Sequence, residues 1–373
     1  MHTPAAIKPV SIKPLHIQLN GKFLAAAPTG VHRVAEELGN ALSALIAEGH
    51  PAVRGMSLEA LSPHDGMARA ATLHMPARRL GPFRHIAWEQ LSLPLRRGNG
   101  VLLNLCNIGP MLARNAVTMI HDAQVLLSPA SYRRAFRLWY RFVQPVIARR
   151  HRLLLTVSEF SRRELAAAGL APLDRIAVVH NGADHVLAAP AQGGTLEQLG
   201  LERGGYVLAL ANTQSHKNIA VLLCAFADPA LAHLALVLFG GADRAAFEAA
   251  GHAVRGNIRF AGRVSDGEVR ALMEGALCLG FPSTTEGFGL PPLEAMLLGC
   301  PAVVAPCGAL PEVCGDAAVY VKPEDAAGWA AAISRFHADP VLRAEYSERG
   351  RTRAAGFTWR KAALALADVL RAL

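Results

Sequence analysis

Two doubly wound α/β domains on parallel sheets are predicted from three observations: the chain's length, its globular composition, and the regular alternation of short apolar runs with helical patterns. At 373 residues the chain is long for one hydrophobic core and suits two domains. Apolar residues make up 52% and charged residues 18%, a globular balance rather than a disordered one. The apolar runs are short, several are rich in β-branched residues, and they show little polar alternation, as strands covered on both faces do.

In the first half, residues 15–19 read as a strand, 20–30 as a turn-rich stretch and 31–47 as a helix. Strands follow at 101–106, 117–121, 153–158 and 176–181. The second half is more regular. Strand runs at 206–211, 234–240, 258–262, 277–283, 301–306 and 317–322 alternate with helical patterns at 218–227, 244–251, 266–274, 292–298 and 326–337. Such βα alternation implies a parallel, doubly wound sheet. The boundary is expected within 183–205, where Pro190 and the Gly193-Gly194 pair fall. The expected domains are therefore 1–190 and 191–356. Residues 357–373 gather Phe357, Trp359, Leu364, Leu366, Val369 and Leu370 on one face, which predicts a closing helix packed back on the body.

No window reaches the ~20 apolar residues of a membrane span, and the N-terminal stretch with Lys8 and Lys13 lacks the apolar core of a secretory leader. The six cysteines, Cys106, Cys224, Cys278, Cys300, Cys307 and Cys314, form no CxxC pair. The even spacing of the last three invites a metal reading, but no histidine or second cysteine pair flanks them. A reducing cytoplasmic compartment is expected. Charge is uneven: residues 1–190 carry 22 Lys and Arg against 11 Asp and Glu, whereas the remainder carries 16 against 18. The first half is the half suited to an anionic partner.

The segment richest in chemistry is Phe281-Pro-Ser-Thr-Thr-Glu286-Gly-Phe-Gly-Leu-Pro-Pro-Leu-Glu294. Gly287 and Gly289 open backbone conformations closed to other residues, and Pro291 and Pro292 suit a helix opening. A strand, a glycine loop and a helix start in that order present free N–H groups and partial positive charge, a site for a diphosphate. Two carboxylates bracket the loop. A glycosidase pair is one reading, with carboxyls ~5–5.5 Å apart if retaining or ~6.5–9.5 Å apart if inverting. In another, Glu286 faces what the loop cradles and Glu294, placed in the first helical turn, holds a ribose diol. A third makes them a helix-capping and a surface glutamate.

With the segment that follows it, GCPAVVAPCGALPEVCGDAAVYV, this stretch resembles the retaining glycosyltransferases of family 4. Further matches occur in order: TGVHRVAEEL at 29–38, HDAQVLLSP at 121–129, TVSEFSRREL at 156–165, VVHNGAD at 178–184, HKN at 216–218 and FAGRVSDGEVRALMEGA at 260–276. The resemblance implies the GT-B fold, two Rossmann-like domains facing a central cleft. It implies that Glu286 contacts hydroxyls of the transferred sugar, that the backbone of Gly287, Phe288, Gly289 and Leu290 meets sugar and diphosphate, and that Glu294 binds the ribose. Thr29 and Gly30 would lie near the donor phosphates; alternatively they are an N-cap and a turn glycine. His121 would bond the donor sugar and favour charge at the anomeric centre, or serve structure only. Lys217 would neutralise the diphosphate leaving group. Many relatives carry an arginine six residues before that lysine; here Ala211 stands there, with Asn212, Thr213, Gln214 and His216 as polar neighbours.

By the same resemblance the enzyme is a retaining hexosyltransferase, with the leaving phosphate helping to deprotonate the acceptor in a front-face displacement. The donor is a nucleotide-diphosphate sugar, mannose or glucose, with GDP-mannose one candidate. The acceptor is a glycan or lipid-linked saccharide in polysaccharide biosynthesis. No Asp-x-Asp motif occurs, so neither a metal nor a cofactor is expected. Two alternatives stand beside this: a sugar-nucleotide epimerase of the same fold and a donor-binding non-catalytic homologue. Residues 131–152 combine seven arginines with Tyr132, Phe136, Trp139, Tyr140 and Phe142. That pattern fits either a solvated packing helix or peripheral contact with an anionic membrane, on the cytoplasmic face of the inner membrane. No nucleic-acid-binding motif accompanies the charge, so nucleic acid is not an expected partner.

Overall fold

The computed structural model describes residues 14–127 and 133–373. Lys8, Lys13, Ser131 and Tyr132, and the last two residues of the 121–129 motif, lie outside the described residues. The chain forms two compact units. One holds the residues up to Thr118 with Arg150–Arg152 and Ala363–Leu373; the other holds Met119–Arg149 and Leu153–Ala362.

Two parallel sheets organise the chain. The first contains β1 (Leu15–Asn20), β2 (Met56–Ser62), β3 (Ala77–Arg79), β4 (Val101–Asn104), β5 (Ala116–Met119), β6 (Leu153–Thr156) and β7 (Ile176–Val178), in the order β3-β2-β1-β4-β5-β6-β7. The second contains β8 (Tyr206–Leu210), β9 (Ala235–Phe239), β10 (Ile258–Gly262), β11 (Cys278–Phe281), β12 (Ala302–Val304) and β13 (Ala318–Tyr320), in the order β10-β9-β8-β11-β12-β13. Both sheets begin in the middle, grow outward, and return to the far side of their first strand. Each therefore has a switch point, β1 beside β4 and β8 beside β11, where the loops leaving the strands diverge and ligands bind. Trp329, Phe336, Phe226 and Phe247 fill the core on the second sheet, each almost wholly buried.

The predicted doubly wound parallel architecture is present, with three instructive differences. β2 and β3 were not legible because Ser57 and Glu59 interrupt the first, while the second is an edge strand with two arginines in three residues. Arg78 is held there by Glu59, with Nε to Oε2 at 3.1 Å. The helix Pro340–Ala354 was also missed, because it buries only Gly350 and Ala354 and so shows no apolar stripe. Finally, several predicted strands run past the hydrogen-bonded ladder. His121, Ser158 and Ser283 follow strand ends, are buried, and are polar. Burial continued while pairing stopped.

The six cysteines are all free thiols. Burial pushes Cys300 and Cys314 up to about 12, the behaviour of small core residues. Among the described residues no cluster of three or more His, Cys, Asp or Glu side chains could hold a metal ion.

A buried polar chain crosses the first unit. Asn20 Nδ2 donates to Asn104 Oδ1 at 2.9 Å, and Asn104 Nδ2 donates to Thr118 Oγ1 at 2.9 Å. Thr118 Oγ1 lies 2.7 Å from His151 Nδ1, and His151 Nε2 lies 3.1 Å from the Pro110 carbonyl. The carbonyl can only accept, so Nε2 carries the proton and Nδ1 accepts from the threonine. Burial lowers His151 to about 4, with Arg150 and Arg97 adding to the shift and the Pro110 bond opposing it. A depressed histidine favours the fold above its unfolded value near 6.5, and that contribution is lost as pH falls towards 4. Compared with His151→Gln, which keeps one donor and one acceptor, the native chain should lose up to about 3 kcal/mol more stability between pH 7 and pH 4. Urea unfolding at both pH values reads this; parallel losses in the two proteins would refute it.

Candidate active site

The residues flanking the β8/β11 switch point converge. After β8 the chain makes a tight turn, Ser215–Lys217, closed by Asn218 in the left-handed region at φ 52°. Asn218 Nδ2 donates to the carbonyls of Pro282 at 3.2 Å and Pro323 at 2.7 Å. The Thr284 amide donates to the His216 carbonyl at 2.8 Å. These bonds tie the turn to the loop after β11. They bring Lys217 Nζ to 2.7 Å from Glu286 Oε1, with side chains 18% and 10% exposed. Burial, then Lys217, holds the His216 imidazole below its ordinary value. Ala211 is buried. Asn212 and Gln214 turn on each other, the Gln214 amide donating to Asn212 Oδ1 at 2.8 Å.

The loop after β11 is fixed through its carbonyls. Ser158 Oγ donates to Gly287 O at 2.7 Å, and the single Ser161 hydroxyl proton is shared between His121 O at 2.9 Å and Gly287 O at 3.1 Å. Gln124 Nε2 donates to Thr285 O at 3.1 Å, and the Ala309 amide to Glu286 O at 2.9 Å. Glycine is required at 287 because a Cβ there would lie 2.5 Å from His121 O. Gly289, at φ 103°, is the left-handed residue from which the helix Leu290–Leu297 starts. Among the described residues the amides of Gly287, Phe288, Gly289 and Leu290 have no hydrogen-bond acceptor. Phe288 is itself buried against His180 and Phe357, with ring centroids 6.2 and 6.0 Å away. Only its backbone is available to a ligand.

The helix begins earlier than the prolines indicated. Pro291 and Pro292 are its second and third residues, so Glu294 sits in the second turn rather than the first. It is neither a cap nor a surface residue: its side chain is 15% exposed and Oε1 lies 3.1 Å from His185 Nε2. His185 Nδ1 in turn accepts from the Trp359 indole at 3.1 Å. Sequence reasoning missed both partners. His185 directly follows the VVHNGAD match, and Trp359 carries in the sequence only the signal of an apolar face.

His121 is buried just past β5. Beside it, Asp122 Oδ1 accepts from the Gln124 amide at 2.9 Å. Burial raises Asp122 to about 6; the Gln124 amide opposes this, Glu286 adds to it and Lys217 lowers it. A further carboxylate was missed. Glu312 accepts from the amides of Glu159 at 2.9 Å and Phe160 at 3.0 Å, which open the helix Glu159–Ala167, and lies 2.9 Å from His180 Nε2. Burial opposes its charge, but these contacts outweigh it and hold the carboxyl low. Of the remaining expected site residues, Thr29 caps the helix Gly30–Ala47, its Oγ1 accepting the His32 amide at 3.4 Å, and Gly30 is its first residue. Both belong to the first unit.

The arrangement can take a ligand with anionic and hydroxyl groups together: an ammonium, four amides without an acceptor among the described residues, and two carboxylates. Comparison with known proteins shows the family and the fold. The sequence profile of the family described as "Glycosyl transferases group 1" matches residues 196–353. The O-antigen chain mannosyltransferase B of Escherichia coli is 32% identical over 263 residues, 67% of this chain and 68% of that one. The O-antigen chain mannosyltransferase RfbU of Salmonella typhimurium is 25% identical over 268 residues, 68% and 69% of the two chains. Among solved structures, sucrose-phosphate synthase from Thermosynechococcus elongatus superposes with a TM-score of 0.70 at 19% identity, over 96% of this chain and 99% of that one. Anabaena HepE in complex with UDP and glucose gives 0.69 at 18% identity, over 96% and 100%. The solved structures share the GT-B fold with this chain. On the strength of the mannosyltransferase B match across two thirds of both chains, this chain belongs to the glycosyl transferases of group 1.

Proposed function

We propose that this glycosyltransferase is a retaining, metal-independent hexosyltransferase that moves mannose or glucose from a nucleoside-diphosphate sugar to a saccharide or lipid-linked saccharide in polysaccharide biosynthesis. The observation that carries the proposal is the Lys217–Glu286 pair at a switch point, beside four amides that have no acceptor among the described residues. A hexosyl diphosphate has hydroxyls on one side of its anomeric carbon and phosphate charge on the other. Glu286 accepts from the hydroxyls with its second oxygen, and Lys217 turns its remaining donors to the phosphate. The bond from C1 to the phosphate oxygen breaks, the bond from C1 to the acceptor oxygen forms, and the acceptor's proton passes to the leaving phosphate. Lysine and the amide dipoles supply the charge stabilisation that a divalent metal supplies elsewhere. GDP-mannose is the first donor to test, since both O-antigen relatives are named mannosyltransferases.

The same reading gives residues 1–190 the acceptor and 191–356 the nucleotide sugar, with Thr29 and Gly30 approaching the phosphates and 357–373 closing the fold. It places the chain in the cytoplasm, against the membrane that carries a lipid-linked acceptor. In support, the helix Arg134–Arg150 exposes Phe136, Leu138 and Phe142 among arginines. Among the described residues no helix is long and apolar enough to cross a membrane.

A panel of GDP-, UDP- and dTDP-sugars tests the proposal in the presence of EDTA. A true donor at 100 times its dissociation constant should stabilise the protein by ~2.7 kcal/mol, seen as a raised Tm. That donor should also glycosylate a saccharide acceptor with the anomeric configuration kept. Interconversion of free sugar nucleotides without transfer would point to an epimerase. Binding with no transfer across a broad acceptor panel would point to a non-catalytic homologue, and abolition by EDTA would end the metal-independent reading.

A further inference from the structure

The contact between His185 and Glu294 has no role in the function proposed above. Both residues are largely enclosed, with side chains 9% and 15% exposed. The imidazole sits between two fixed partners. On one side the Trp359 indole, which can only donate, points at Nδ1 from 3.1 Å. Nδ1 must therefore accept, so the neutral ring carries its proton on Nε2, 3.1 Å from Glu294 Oε1. The indole is anchored in turn. Its backbone amide donates to Asp184 Oδ1 at 2.8 Å, and a Cβ on Gly182 would lie 2.2 Å from the same Trp359 nitrogen. The segment 182–185 and the start of the helix Trp359–Arg371 thus form a tight block that holds the ring nitrogen Nε2 3.1 Å from one carboxylate oxygen.

We infer that His185 is a positioning residue for nucleotide recognition: with its tautomer set by Trp359, it fixes the Glu294 carboxylate in the orientation that grips a ribose 2′,3′-diol. This rests on the assignment of Glu294 to the ribose. A carboxylate oxygen has two acceptor sites, so Oε1 can hold His185 and a ribose hydroxyl at once while Oε2 takes the second hydroxyl. A free glutamate on a helix samples several rotamers and must lose that freedom on binding. His185 removes the loss beforehand. The effect should fall on the diol, the group that the carboxylate is assigned to grip.

The test compares the dissociation constants of GDP and 2′,3′-dideoxy-GDP by calorimetry, and of UDP with its dideoxy analogue, for the native chain and three variants. The native protein should prefer the ribose form by tenfold or more. His185→Leu should lose most of that preference, binding the ribose form about tenfold more weakly and the dideoxy form unchanged. His185→Gln should restore the preference, since its amide can accept from the indole and donate to Glu294. A merely structural histidine would weaken both nucleotides together or lower only Tm, and either pattern overturns the inference. So does a preference unchanged in His185→Leu, or a glutamine variant no better than leucine. Glu294→Ala separates the two proposals. If it abolishes the preference while His185→Leu does not, only the positioning role fails. If Glu294→Ala leaves the preference intact, the ribose assignment fails and this inference with it.

Discussion

Glu286→Gln should lower kcat by about 10²–10³-fold while leaving the affinity for free nucleoside diphosphate equal or stronger. The amide keeps the shape of the carboxylate and one acceptor oxygen, so the loop bonds through the Glu286 and Gly287 carbonyls survive. What disappears is the negative charge beside the anomeric carbon, where positive charge gathers as the phosphate leaves. The lost interaction strengthens in the transition state, so it acts on kcat more than on ground-state binding. The diphosphate should bind no less well because the variant releases Lys217 from its 2.7 Å partner. Single-turnover kinetics with a bound donor, together with calorimetry of the diphosphate, resolve the two effects. A turnover within twofold of native would remove Glu286 from the chemistry and return it to a purely structural place in the loop.

How much of this was legible in the sequence depends on distance along the chain. The glycine loop, its prolines and both glutamates lie within nine residues, and local rules were enough to expect strand, loop and helix start. The lysine was found by resemblance, but its pairing with a carboxylate 69 residues away was not. That contact exists because β8 and β11 are neighbours, a property of sheet order and not of any local pattern. Glu294 shows the opposite failure. The expected helix start at Pro292 put it in the first turn, whereas Gly289 starts the helix before the prolines and moves the carboxylate round to His185. Ser158 and Ser161 stood inside a matched motif without a role. Their hydroxyls prove to lie within hydrogen-bond distance of the Gly287 carbonyl. Ser158 also begins the helix Glu159–Ala167, its hydroxyl accepting the Ser161 amide at 3.0 Å. One short polar segment therefore serves two elements, which hydropathy cannot show.

Lys217→Ala should be the more damaging change, lowering kcat by about 10³-fold or more and weakening nucleoside diphosphates without affecting the parent nucleoside. Its ammonium has two tasks. It meets the charge that grows on the departing phosphate, the larger charge change in the reaction as proposed. It also compensates Glu286, which is enclosed, and offsets the smaller push that Glu286 adds to Asp122, a carboxyl raised to about 6 mainly by burial. Removing the lysine leaves two carboxyl groups to share a confined space, and like charges there favour protonation of one of them. Asp122 in the variant should therefore titrate above its native value. A carboxyl with a raised value contributes most to stability below its unfolded pKa and loses that contribution as pH rises through the folded one. The alanine variant should thus lose stability relative to native mainly above pH 6, and Tm scans from pH 5 to pH 8 would show it. Lys217→Arg keeps the charge in a planar fork that cannot serve as a compact point donor, so it should recover stability at pH 8 but only part of the turnover. Equal affinity of native and alanine variants for GDP or UDP would show that the lysine does not meet the diphosphate, and that the 217–286 pair serves the fold alone.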